Sequence, residues 1–148
     1  MKRFQFRLAR LGKVRELQEE IARAEWQAAE DLALRAERRV DELLELVAET
    51  NAALRELQGS AELASGEVLA LHDLLERVQR ALENARRQAA ELRAAAEVAR
   101  EPWTALRIEI EGLARLESRA REQHRSEVTR AEIAELDQIA LERAARRA

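Results

Sequence analysis

The sequence predicts an all-α chain, a long antiparallel two-helix coiled-coil hairpin with a C-terminal helical overhang, and three observations predict it. Ala, Leu, Glu, Arg and Lys supply 103 of the 148 residues, well past the roughly 50 % that signals a coiled coil or long helix. One Pro, four Gly and four aromatics leave too little turn chemistry and too few strand formers for a sandwich, a barrel or an α/β fold. Apolar residues recur at alternating steps of three and four, the period of a left-handed coiled-coil seam. Charged residues reach 37 %, against roughly a quarter in an ordinary globular domain. The apolar material therefore suffices for a narrow seam and not for a wide core. A single coiled-coil domain over 1–148 is expected.

Helix 1 is expected over about 4–58. Its seam is read from Val40, Leu43, Val47, Thr50, Leu54 and Leu57. Earlier, Leu17, Ile21, Ala24 and Ala28 start in one phase and reach Val40 only by steps of four through Leu32 and Ala36, a stutter that locally unwinds a supercoil. The turn is expected at about 59–66, where Gly59 suits a stop and Ser65 or Gly66 a new start. Helix 2 follows over about 67–146, with its seam running from Val68 through Leu71, Leu75, Val78, Leu82, Ala85, Ala89 and Leu92 to Ala96. So short a connection makes the two helices antiparallel neighbours. A turn centred near residue 62 pairs residue i with about 125 − i, which leaves residues 121–148 as an overhang of about 40 Å at 1.5 Å per residue.

That register brings Trp26 to the level of Val98 to Trp103, and Gly12 to the neighbourhood of Gly112. The two glycines either mark a close approach of the helices, or Gly112 is a tolerated helix glycine costing about 1 kcal/mol against Ala. Pro102 removes a backbone donor and is expected to kink helix 2. Ala99, Trp103, Leu106, Ile110 and Leu113 keep the seam in phase across it, so the expectation is a bend and not a break. Self-similarity at periods of 20 to 50 residues, the mark of a solenoid, is absent.

Composition also narrows function. Cysteine is absent, which excludes disulfides and thiolate metal sites and leans toward the cytoplasm. No apolar run approaches the roughly 18 residues of a membrane span, and the N-terminus lacks the uncharged stretch of a signal peptide; a soluble, unprocessed chain is expected. Six basic side chains and no acid occupy residues 1–15, so the net charge of −3 conceals a basic tip on an acidic body. Neither a P-loop nor a dinucleotide-binding glycine motif occurs. His72 and His124 lie far apart without cysteine companions, whereas zinc needs three or four converging ligands. Glu–Arg neighbours such as Glu83 with Arg86 and Arg87 read as solvated helix faces. The expectation is a protein without catalysis, cofactor or metal.

A basic-zipper DNA reader would carry Asn, Arg and Ala where this chain has Phe4, Phe6, Leu8 and Leu11, so no nucleic-acid partner is expected. The same basic, amphipathic segment suits a membrane surface better, and a membrane-surface hairpin is the alternative carried forward. Apolar residues outside the seam point to partners. Leu44, Leu46, Leu63, Leu69 and Leu74 gather toward the turn, where they either widen the hairpin's own interface or form a docking patch. In the overhang, Val128, Ala131, Leu136, Ile139 and Ala140 have no expected intramolecular partner, and an orphan amphipathic helix implies a groove or ring elsewhere.

Both ends of the chain resemble a known family. The opening Phe4-x-Phe6-x-Leu8-x-x-Leu11-x-x-x-Arg15-Glu16, followed by a Glu/Ala-rich helix, is similar to the start of the FliJ family, small coiled-coil components of the bacterial flagellar type III export apparatus. Trp103, Leu113, Leu116-Glu117, Arg119, Arg130-x-Glu132, Leu136-Asp137 and Ala140-x-x-Arg143 resemble that family's C-terminal stretch. Gly12 departs from the aliphatic residue usual at its position. The resemblance implies an antiparallel coiled coil similar to the central stalk of rotary ATPases. It implies three partners, namely the hexameric export ATPase, the export gate membrane protein and chaperones of late substrates, with a cytoplasmic location peripheral to the inner membrane at the flagellar base. Carried onto this chain, it would send Phe4, Phe6, Leu8 and Leu11 with Val128, Leu136, Asp137, Ile139 and Arg143 into the ATPase ring. Leu44, Leu46, Leu69 and Leu74 would face the gate. The equivalent stalk of a virulence injectisome shares the same physics.

Overall fold

The computed structural model describes residues 3–60 and 65–147. Two helices, α1 over Ala9–Gly59 and α2 over Ser65–Arg147, pack against each other as a hairpin, with no strand among the described residues. Good helix formers fill both, and neither contains a run of β-branched residues to oppose them. α1 starts at Ala9, later than the expected residue 4, because residues 3–8 form a non-helical arm that the Ala9 N–H closes by donating to the Phe6 carbonyl at 3.2 Å. At its other end Gly59 is not the left-handed stop anticipated, since no described glycine has positive φ. Ser60 ends the helix instead, its N–H and its hydroxyl both donating to the Leu57 carbonyl at 3.3 Å. The middle of the turn, with Leu63, lies outside the described residues. α2 continues through Pro102 as one helix.

The chain divides into two compact units, one of Met1–Glu20 with Thr104–Ala148 and the other of Ile21–Trp103. In the second unit the seam from Val40 to Leu57 and from Val68 to Ala96 is buried or half-buried at every expected position. Leu43, Val78, Leu82 and Ala85 form its core cluster, with Val40, Val47 and Leu74 packed against it. Thr50, a buried polar residue of the seam, donates its hydroxyl to the Leu46 carbonyl at 2.7 Å and so is not left unpaired.

The expected stutter is absent. Ala22, Trp26, Ala29, Ala33 and Ala36 carry the three-four spacing of Val40–Leu57 back along α1 without a phase change, while Leu17 and Ile21 are each 62 % exposed and Leu32 is 50 % exposed. The large aliphatics misled the sequence expectation because the inward face here is built of small side chains. Ala33 and Ala96 are fully buried, and alanine at seam positions gains contact only where the backbones lie close.

Two further interactions fix the phase of this unit. The Trp26 and Trp103 rings stack with centroids 4.7 Å apart and planes 12° from parallel, at the level the register anticipated. Arg93 of α2 reaches two carboxylates of α1. Its Nε and Nη2 grip the two Glu37 oxygens at 2.8 and 2.9 Å, and its Nη1 meets Glu30 at 2.8 Å. Glu30 and Glu37 are one heptad apart, so both lie on the same edge of α1. The hydrogen bonds from Arg93 hold the Glu37 carboxyl below its ordinary value, against the opposing effect of partial burial, and the guanidinium charge adds to the lowering.

In the first unit, Arg15 Nε meets Glu109 at 2.8 Å, one residue from the partner the register assigns. Gly12 and Gly112 do not mark a close approach, because a Cβ built on either meets nothing within 4 Å. The tolerated-glycine alternative holds.

Two outcomes follow from this packing. Leu43→Ala should cost about 2–5 kcal/mol, read as a lowered denaturant midpoint. Glu37, whose folded pKa is depressed, contributes stability above its unfolded value of about 4.3 and loses it as pH falls through the lower folded value. On acidification the melting temperature of the parent chain should therefore fall more than that of Glu37→Gln; parallel acid limbs would remove the carboxylate from the account.

Candidate partner-binding surfaces

The N-terminal arm alternates along its length. Phe4, Phe6 and Leu8 are half-buried while Arg3, Gln5 and Arg7 are exposed, a two-residue alternation and not the 3.6 of a helix; the alternation runs through residues 3–6 into the turn at Arg7 and Leu8. The Phe4 ring centroid lies 5.5 Å from that of His124, and the Arg121 guanidinium sits 5.3 Å from the Phe4 centroid, within cation–π range. Arg121 is itself held by Glu117 at 2.6 Å. Phe6 and Leu8 line a cavity of about 280 Å³ with Gly12, Ile110 and Leu113, where the missing glycine side chain leaves space. Leu11 stays exposed. The apolar side of this segment is thus turned onto α2, and Arg3, Arg7 and Arg10 are what it presents to solvent.

This arm moves the start of the overhang. Residues 121–128 were expected to stand alone, yet Phe4 reaches Arg121 and His124, and Val128 is half-buried. Every described residue from Thr129 to Arg147 is exposed, a stretch of α2 about 28 Å long at 1.5 Å per residue. Leu136 is 65 % and Ile139 45 % exposed, and Asp137 and Arg143 are exposed beside them. Two further residues that the sequence expectation passed over belong here, Ile133 at 53 % and Leu141 at 71 % exposure. Ile133 stands three residues before Leu136, a helical spacing, whereas Leu141 stands five after it and faces another side.

Of the leucines expected near the turn, Leu44, Leu46 and Leu69 are exposed. Leu74 packs against the core cluster of Leu43, Val78 and Leu82, so for that residue the wider-interface alternative applies. Among the described residues no three His, Asp or Glu side chains converge as a metal would need, and no buried side-chain polar atom lacks a partner. The shifted Glu37 and Arg93 pair with each other and Glu30 as structural contacts. No helix of the described residues is long and apolar enough to cross a membrane.

The arm's role is open to measurement. Phe4→Ala should raise amide exchange over residues 5–9 severalfold while costing only about 1 kcal/mol of global stability, the scale of one aromatic contact. Unchanged exchange would mean that Phe4 does not hold the arm.

A family model described as the flagellar FliJ protein matches residues 4–148. No curated protein matches. No solved structure matches either. The family match takes in the arm, both helices and the exposed end of α2, and on that extent the chain belongs to the FliJ family, non-catalytic components of the flagellar export apparatus.

Proposed function

We propose that this chain is a stalk and adaptor of the hexameric export ATPase, linking it to the export gate membrane protein and to substrate chaperones. The observation that supports this most is the fully exposed end of α2, residues 129–147. Ile133, Leu136 and Ile139 follow one another at steps of three along one side of the helix there, each at least 45 % exposed. An apolar helix face of this kind is stabilised by entry into a groove or ring. Leu136, Asp137, Ile139 and Arg143 would make the ring contacts. Leu44, Leu46 and Leu69 would meet the gate.

The mechanism we assign is asymmetric contact. One helix inside a six-fold ring touches only some subunits at a time, and the touched subunits are stabilised in a different conformation from the rest. Differential contact of this kind shifts populations around the ring, and the same body carries the bias toward the gate. The arm bears on the membrane-surface alternative, since amphipathic insertion needs an apolar face offered to lipid and Phe4, Phe6 and Leu8 are half-buried on the protein.

The deciding experiment titrates the export ATPase with this chain and follows turnover and hexamer content. Full-length chain should stimulate saturably near one copy per ring. Removal of residues 129–148 should abolish stimulation while leaving the thermal unfolding of the remainder cooperative; a truncated chain that stimulates normally would overturn the overhang's role. Leu44→Ala with Leu69→Ala should weaken gate binding about tenfold with only a small fall in melting temperature, because neither side chain belongs to the buried core. Gate binding that survives both changes would release these leucines from it.

A further inference from the structure

The exposed end of α2 carries a charge pattern that shares only Ile139 and Arg143 with the proposed ring contact. Glu132, Glu135, Ile139, Arg143 and Arg146 follow one another at steps of three, four, four and three. At about 100° per residue these positions fall within an arc of about 80°, so one face of the helix reads acid, acid, isoleucine, base, base. The pattern inverts about Ile139. Glu135 and Arg143 are each four residues from it, and Glu132 and Arg146 are each seven.

Within a single copy three of these four charges lack a counter-charge at helical spacing, and only Arg146 has one, Glu142 four residues before it. Glu132 and Glu135 are like charges three residues apart, as are Arg143 and Arg146, and such neighbours are unfavourable on a helix. No base lies three or four residues from Glu132 or Glu135, and no acid lies at those spacings from Arg143. None of the four charged side chains makes an ion pair or hydrogen bond among the described residues. We infer that the occupant of this face is a second copy of the same chain, its α2 end running antiparallel about a two-fold axis at Ile139. In that arrangement Glu132 lies opposite the second copy's Arg146 and Glu135 opposite its Arg143, and symmetry repeats both pairs. The two Ile139 side chains meet at the centre, with Leu136 of each copy one turn away. A parallel arrangement in register would set acid against acid and base against base, so charge alone selects the antiparallel one. The interface is isologous and closes on two copies. It covers Leu136 and Ile139, so pairing of copies and occupation of a ring are mutually exclusive.

Sedimentation equilibrium of the full chain over a range of concentrations should show a monomer–dimer equilibrium that weakens with added salt. Arg143→Glu with Arg146→Glu turns all four flanking positions acidic and should raise the dimer Kd about tenfold or more, with helix content by circular dichroism unchanged. Adding Glu132→Arg and Glu135→Arg to that variant inverts the pattern and should restore self-association. The acidic double variant mixed with a chain carrying only Glu132→Arg and Glu135→Arg should form a heterodimer. A parent chain that stays monomeric at every concentration, a Kd unmoved by the double reversal, or a quadruple variant that fails to recover would each overturn the antiparallel pairing.

Discussion

Two helices can bury only one stripe of each against the other, and everything else in this protein follows from that limit. A residue off the stripe is in water whatever its chemistry. In the unit of residues 21–103 the stripe changes character along its length, from leucine and valine around Leu43, Val78 and Leu82 to alanine at Ala33 and Ala96. Burial of a branched side chain stabilises through area removed from water, whereas alanine contributes little area and depends on close backbones. In the alanine region specificity falls to the Trp26–Trp103 stack and to Arg93 with its two carboxylates. A guanidinium fork with two acceptors one heptad apart tolerates no sliding, since a shift by one residue turns an acceptor away. Position is thus held by polar geometry where apolar packing is thinnest.

The parts legible in the sequence are those where seam residues are also the large apolar ones. Val40 to Leu57 and Val68 to Ala96 fulfil this, and there the expected and observed faces coincide. Between Gly12 and Ala36 the two criteria separate. Leu17, Ile21 and Leu32 are the larger side chains but point outward, and the inward face takes Ala22, Ala29 and Ala33. Size ranks positions correctly only when the seam is wide enough to need size. The arm was legible in a different way, because Arg3-Phe4-Gln5-Phe6-Arg7-Leu8 alternates in polarity, but a period of two is easily absorbed into a chain whose every other segment is helical. The Arg93 contacts span 56 and 63 residues and become readable only once a register is known.

Function in this chain resides in surfaces and not in reactive groups. The seam fixes which apolar residues remain outside, so exposed leucines and isoleucines acquire meaning only after the phase of each helix is known. Leu74 and Leu69 illustrate this. They lie five residues apart in one helix, yet one joins the core cluster and the other stands in solvent. The family assignment and the exposed end of α2 agree in kind, since a component that works by contact needs apolar surface free to make it.

The two-residue period of the arm has an effect on what evolution can do to it. In a helix, one inserted residue turns everything beyond it by about 100°, and neighbouring positions absorb part of the change. In a segment that alternates every two residues the same insertion exchanges the two sides outright. One residue added between Phe4 and Phe6 would set Phe4 toward solvent and Arg3 toward the ring of His124, while two added residues would restore the sides and only advance the phenylalanine along α2. Length variation in the arm is therefore constrained by parity, and changes of even number are the ones this end of the molecule accommodates.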